Sequence, residues 1–222
     1  MRPVPVYHDF PLPKRRRPLF VIGRTLWRKI GRGVRRLHID PKLLESIDRV
    51  SEQYEMIHNE IERIWRTQMV FTWHWWLDIA LAVLPWIVWC IVRDRKRTHD
   101  LLYAGLFTML AAALLDIVGV SQGGWNYNTW LLPYLPEYFP WDLTVMPVGA
   151  MLFYQFFPKV SPWIKGAAFG LVGAYAVEPV FAWLGVYEPT GWEHYYGLPV
   201  YFAIYMAGHW LYTRRLRSAD PC

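Results

Sequence analysis

The chain has 222 residues, a formal net charge of +6 at pH 7 and an aromatic content of 18%, with 14 Trp and 14 Tyr. This content exceeds what a soluble core needs and is typical of membrane interfaces, where a ring lies among acyl chains while its polar atom stays hydrated. Most of the 24 Lys and Arg residues belong to residues 1–70, whereas residues 71–213 are largely apolar, which excludes a uniformly basic soluble protein. Cys90 and Cys222 show no Cys/His spacing of the kind that binds zinc, so no metal site is predicted and any cofactor is left open.

Residues 1–40 form a basic arm. Its first part, Met1 to Pro18, is rich in proline and arginine, which predicts disorder. From Leu19 to His38 apolar residues recur at helical spacing between arginines, which favours a helix lying on anionic lipid. A solvated arm that contacts the protein's own surface or a partner protein explains the same pattern. Binding to nucleic acid is not expected, because the arm is tethered to a membrane protein.

A single amphipathic helix is predicted for residues 41–70. Asp40 is placed to cap its first turn, and Pro41 suits the first helical position. No glycine or proline follows until Pro85, so the helix is expected to continue directly into the first membrane segment. Its apolar residues favour a coiled-coil seam with another copy or another subunit, although a helix packed on the membrane part of the same chain fits almost as well. The seam consists of Leu43, Ile47, Val50, Tyr54, Ile57, Ile61 and Ile64.

Five apolar segments predict a transmembrane bundle over residues 71–215, followed by a short tail at residues 216–222. About 20 residues cross the hydrocarbon core upright, so the third and fifth segments are short unless neighbouring aromatic residues complete them. The expected fold is all-α: a polytopic bundle of about five spans, preceded by the heptad helix and the basic arm. The segments are Phe71–Val92, Leu101–Val120, Leu143–Phe157, Gly166–Val186 and Leu198–Tyr212.

The charges between these segments predict how the chain is oriented in the cell membrane. Basic residues occur in the linker 93–97, in the linker 158–165 and after the last segment, whereas the alternate loops 123–142 and 187–197 contain no Lys or Arg. The positive-inside rule therefore places the basic linkers in the cytoplasm. Five spans put the N-terminal arm outside, whereas a re-entrant hairpin at Pro85 would keep it inside. Five spans are the favoured interpretation.

Scattered aromatic, proline and acidic positions after residue 71 occur in a recognisable order. They are Trp73-His74-Trp75-Trp76, Pro85-Trp86, Leu115-Asp116, Gly119, Trp125-Asn126-Tyr127, Pro140, Asp142-Leu143, Pro147, Glu178, Trp192, Tyr196 and Pro199. This order resembles that of an uncharacterised family of small polytopic membrane proteins common in endospore-forming bacteria. The resemblance covers roughly residues 65–215, and it implies a small helical bundle with no assigned activity.

Ionisable residues within the apolar segments are the candidates for a functional site, because charge inside a membrane is costly and needs a reason. These candidates are Glu178, Asp116, Asp142, His74 and Asp78. His74 and Asp78 are four residues apart and share one helix face. The places of the five candidates along alternating spans predict that all of them lie in the outer half of the membrane at similar depth. Glu178 is the foremost candidate, because Pro179 frees a backbone carbonyl beside its carboxylate.

Two interpretations of these acidic residues are open. In the first, they accept hydrogen bonds from Trp, Tyr or backbone N–H groups and only fix the packing of the helices. In the second, they form a small-molecule site, a proton relay or a lipid-modifying site. No nucleophile motif, phosphate loop or dinucleotide fingerprint occurs, so catalysis is left open. The leading functional hypothesis is a structural or interaction subunit of a membrane assembly, and the alternative is the carboxylate site.

Overall fold

The structure is a computed structural model that describes residues 40–135 and 138–219, without the side chains of residues 215–219. The basic arm, apart from Asp40, and the last three residues of the tail lie outside the described residues. The chain divides into two units, residues 1–51 and residues 52–222. The described part is mostly helical, as the all-α prediction requires.

The first described helix, α1, spans Pro41–Ile64. The backbone N–H of Lys42 donates to Oδ1 of Asp40 (2.9 Å), which confirms the predicted cap. A π-turn at Trp65–Met69 follows, and Phe71 then adopts a left-handed φ of 66°. The prediction that this helix continues into the first membrane segment is therefore wrong.

The next helix, α2, spans Trp73–Val92 and explains why the chain breaks before it. The hydroxyl of Thr72 accepts from the backbone N–H of Trp75 (3.4 Å), so a new helix start is capped at this point. Pro85 lies inside α2 without interrupting it. A re-entrant hairpin at this proline, the alternative considered from the sequence, is therefore wrong.

The remaining elements form a bundle with α2. They are a 3₁₀ turn at Arg95–Arg97, α3 (Thr98–Ser121), β1 (Trp125–Tyr127), a π-turn at Trp141–Val145, α4 (Met146–Gln155), α5 (Pro162–Val172), a π-turn at Gly173–Val177, α6 (Glu178–Trp183), β2 (Tyr187–Pro189) and α7 (His194–Ala219). Among the described residues, three helical stretches are long and apolar enough to cross a membrane: Trp73–Val92, Arg95–Ser121 and Pro162–Trp183.

One end of the bundle, which we call the aromatic end, carries a two-stranded antiparallel ribbon that the sequence did not predict. β1 pairs with β2 so that Asn126 lies opposite Glu188. Thr190 adds a hydrogen bond from its hydroxyl to the carbonyl oxygen of Gly123 (2.7 Å). The two loops that lack Lys and Arg are therefore joined directly to each other.

The other end of the bundle, which we call the basic end, carries the basic linkers. Arg97 donates to a carboxylate oxygen of Asp94 (2.7 Å) and to the hydroxyl of Tyr212 (3.0 Å). Lys165 is buried, and its Nζ donates to the carbonyl oxygen of Phe153 (2.9 Å) at the end of α4. Charged side chains here complete the hydrogen bonding of helix ends.

The hydrophobic core lies mainly toward this basic end. A small residue allows the close packing here: a Cβ added to Gly105 of α3 would lie 2.6 Å from the sulfur of Met151 in α4. The main buried cluster consists of Trp89, Leu101, Ala104, Val148, Ala150, Met151, Tyr154, Tyr205 and Tyr212.

Candidate functional site

A cavity of about 330 Å³ opens between α3, the π-turn at 141–145, α6 and α7, toward the aromatic end. Three buried acidic residues line it, Asp116, Asp142 and Glu178, and we call it the carboxylate cavity. The structure therefore brings together three of the five candidates from the sequence. Its other walls are largely aromatic and aliphatic, and no Lys or Arg occurs among the described residues that line it.

Two of the three carboxylates are positioned by π-turns. Asp142 lies within the turn Trp141–Val145, and Glu178 directly follows the turn Gly173–Val177. In each case a proline occurs two residues after the turn, at the start of the next helix. Since proline has no N–H to donate, a wider turn is a way to accommodate the lost helical hydrogen bond. Single π-turns inside α-helices frequently mark functional sites.

Asp116 is held by three donors from the loop after α3. Its Oδ1 accepts from Trp125 Nε1 (2.7 Å) and from the hydroxyl of Tyr127 (2.7 Å). Its Oδ2 accepts from the backbone N–H of Tyr138 (3.1 Å). This is the arrangement of a carboxylate that orders a loop, and it agrees with the structural interpretation for this residue.

Glu178 is held by α7. Its Oε1 accepts from the hydroxyl of Tyr201 (2.6 Å), and its Oε2 contacts Nδ1 of His194 (2.9 Å). Gly197 lies between these two partners along α7, and a Cβ there would come within 2.6 Å of Oε1. The lack of a side chain at this position therefore leaves room for the carboxylate. His194 is partly exposed, so Glu178 connects the cavity with the surface.

The carboxylates of the cavity are close enough to act on one another and on the pKa of the neighbouring phenols. The side chains of Asp116 and Asp142 lie close enough to interact electrostatically. Burial raises the pKa of Tyr127, and the charges of the same two residues raise it further. Burial also raises the pKa of Tyr187, to which both Glu178 and Asp116 add. These phenols thus remain protonated hydrogen-bond donors at neutral pH.

The other two candidates, His74 and Asp78, do not join this cluster. They line a separate cavity of about 230 Å³ between α2 and the loop 128–130, which we call the Asp78 cavity. Tyr138 lies between the two sites: its hydroxyl donates to Asp78, while its backbone N–H binds Asp116. His74 contacts the carbonyl oxygen of Leu184 through Nε2 (3.1 Å), which fixes its ring.

Two partners of the carboxylates were missed from the sequence. Tyr138 is remote from both Asp78 and Asp116 along the chain, so no local pattern marks it. Tyr201 carries a signal, because it lies seven residues after His194 on α7, two helical turns along the same face. A helical projection that extended the last segment back to His194 would have placed both residues on one face of the helix.

The described residues contain no group of three or more His, Cys, Asp or Glu side chains arranged to hold a metal ion. No protein-family model matches this chain, and no curated protein or solved structure is significantly similar to it. The geometry itself offers a mostly apolar cavity with three acceptor groups on its walls. Such a site can orient a molecule that has an apolar body and a hydrogen-bond donor or a positive charge.

Proposed function

We propose that this chain is a multi-pass membrane protein that binds a small molecule in the carboxylate cavity. The observation that carries this proposal is the convergence of Asp116, Asp142 and Glu178 on one cavity of about 330 Å³. Buried acids are costly within a membrane, and packing alone gives no reason to leave an open volume beside them. The volume lies within the usual range of about 300–1,000 Å³ for ligand sites.

The membrane arrangement that accompanies this proposal has five spans, with the basic linkers in the cytoplasm and the ribbon outside. It is supported by the pairing of the two loops that lack Lys and Arg at one end, and by the contacts of the basic linkers with neighbouring helices at the other. Cysteine labelling from outside intact cells tests it, in a variant that lacks both native cysteines. Asn128→Cys is expected to be labelled and Arg95→Cys to be protected. The reverse pattern would contradict the orientation.

The ligand itself is tested by mass spectrometry of the protein purified in mild detergent. Val200 lines the carboxylate cavity, whereas Ala203 lies one turn later on α7 and is exposed. Val200→Trp is expected to fill the cavity and remove a co-purifying small molecule that the wild type and Ala203→Trp retain. Equal retention by all three proteins would overturn the small-molecule function.

A second function is favoured by α1. The seam residues Leu43, Ile47, Val50 and Ile57 are all at least half exposed on this helix. An exposed apolar stripe of this length is typical of a surface that binds another copy or another subunit. We therefore propose that α1 joins the protein to a membrane assembly, with the basic arm contacting anionic lipid or the partner protein. We also propose that the chain belongs to the family of small polytopic membrane proteins of endospore-forming bacteria that it resembles.

A further inference from the structure

Buried polar atoms of residues that line the Asp78 cavity have no hydrogen-bond partner. Asp78 is fully buried and lines the cavity. Its Oδ1 accepts from the hydroxyl of Tyr138, but its Oδ2 has no hydrogen-bond partner. A buried carboxylate oxygen without a donor is unfavourable, because it has lost water and gained nothing in return.

A second unpartnered polar atom lines the same cavity. The indole N–H of Trp75 is buried and has no acceptor. The hydroxyl of Thr129 is also buried there and lies near Asp78, but it forms no hydrogen bond of normal geometry. The cavity therefore presents an acceptor and a donor that are both unused, around a volume of about 230 Å³, which is space for several water-sized groups.

These atoms define the chemistry of a complementary ligand. A group that satisfies Asp78 Oδ2 must donate a hydrogen bond, and a positive charge on that group strengthens the bond. A group that satisfies the indole N–H of Trp75 must accept one. A primary ammonium followed closely by an oxygen acceptor, as in ethanolamine, meets both requirements. A quaternary ammonium does not, since it has no N–H to donate.

Exposed aromatic residues next to the cavity indicate the source of such a ligand. Phe71, Trp73 and Trp76 are each more than half exposed at the start of α2. Exposed rings of this kind are typical of the membrane–water interface, where lipid headgroups lie. We propose that the Asp78 cavity binds the ethanolamine headgroup of a phospholipid, with the ammonium on Asp78 and an oxygen on Trp75. This inference rests on the membrane location in the proposed function but not on the carboxylate cavity.

The test compares two lipids that differ only in methylation of the headgroup nitrogen. The full chain in mild detergent is mixed with dioleoyl phosphatidylethanolamine or dioleoyl phosphatidylcholine, and bound lipid is measured by native mass spectrometry. The ethanolamine lipid is expected to bind about tenfold more tightly, the size of one charge-assisted hydrogen bond. Equal binding of the two lipids would overturn the proposal and leave water as the content of the cavity.

Two variants test whether the preference for the ethanolamine lipid arises in the Asp78 cavity. Asp78→Asn and Trp75→Phe are each expected to reduce it several-fold, whereas Trp76→Phe, next to the cavity but exposed, should leave it unchanged. If Asp78→Asn fails to fold, Trp75→Phe decides, because it removes only the indole N–H and keeps the bond between Asp78 and Tyr138. An unchanged preference in the cavity variants would place the lipid elsewhere and overturn the assignment.

Soluble O-phosphoethanolamine separates the lipid from the free headgroup. At a concentration equal to that of the lipid it is expected not to compete, because the acyl chains contribute most of the apolar contact. Displacement at equal concentration would overturn the lipid as the source. The small-molecule function remains separately testable, since Val200→Trp should leave the ethanolamine preference intact.

Discussion

The two ends of the bundle bury polar groups in opposite ways. At the basic end, Gln155 accepts from the backbone N–H of Asp94 (2.8 Å) and donates to the carbonyl oxygen of Val92 (2.8 Å). Its side chain thus supplies hydrogen-bond partners for two backbone groups. At the aromatic end, carboxylates are bound by side chains and loops, and both described cavities lie beside them. Buried polar groups at the packed end therefore only complete the backbone hydrogen bonding, whereas at the open end they also leave space for another molecule.

The largest effect is expected from the packed end. Leu101 of α3 is fully buried in the core, so Leu101→Ala should lower the free energy of unfolding by about 2–5 kcal/mol. Leu106 lies on the same helix with 61% of its surface exposed, and Leu106→Ala should have a much smaller effect. Thermal unfolding of both variants in the same detergent measures the difference. Equal shifts would show that this half of the bundle is not the stabilising core.

Next in size is the charged cap at the basic end. Lys165→Met removes the donor to the carbonyl oxygens of Phe153 (2.9 Å) and Phe156 (3.3 Å) and should destabilise the protein by about 1.5–3 kcal/mol. Lys159→Met, at an exposed position in the same linker, is the matched control. Denaturant unfolding compares the two. Similar stabilities for both variants would mean that the buried ammonium contributes little.

A smaller effect should distinguish the two kinds of carboxylate at the open end. Asp116→Asn places an amide N–H₂ against a donor, because Trp125, Tyr127 and the backbone N–H of Tyr138 all donate to this carboxylate, and should cost about 1–3 kcal/mol. Glu178→Gln can still accept from Tyr201 and donate to His194, so its stability should be near that of the wild type. Its retention of the cavity ligand should nevertheless be lost. Retention by Glu178→Gln would indicate that this carboxylate is only structural.

The smallest effect on stability is expected in α1. Ile57 is 60% exposed, so Ile57→Asp should leave unfolding almost unchanged while weakening association through the seam. Met56→Asp, at a neighbouring exposed position outside the seam, is the control. Chemical cross-linking and size-exclusion chromatography measure the association. An identical monomer in the wild type and both variants would contradict the proposed role of the seam.

The predictable part of the fold is the part that depends on local sequence. Helix positions follow from apolar runs, and the cap at Asp40 follows from a short polar residue before proline. The break at Phe71 was missed, since no glycine or proline marks it and Thr72 becomes a cap only when the chain turns there. The ribbon was missed because its strands are 60 residues apart and only three residues long.

The candidate site shows the same limit. The cost of burying charge was sufficient to select Asp116, Asp142 and Glu178, and similar depth was sufficient to expect them in one place. Depth could not separate Asp78 from them, because it does not specify direction around the helix axis. That separation depends on Tyr138, whose hydroxyl and backbone N–H face two different carboxylates.

The π-turn before Glu178 has a consequence for the way such a sequence can diverge. Each turn of this kind accommodates one residue more than an α-helix does, which is equivalent to a single-codon insertion. One residue corresponds to about 100° of rotation about a helix axis. Because the wider turn absorbs the extra residue, deleting one residue from Gly173–Val177 would restore an ordinary α-turn and leave position 178 facing α7, without that rotation. A related protein could therefore lose the π-turn by one deletion and still keep its cavity carboxylate in place.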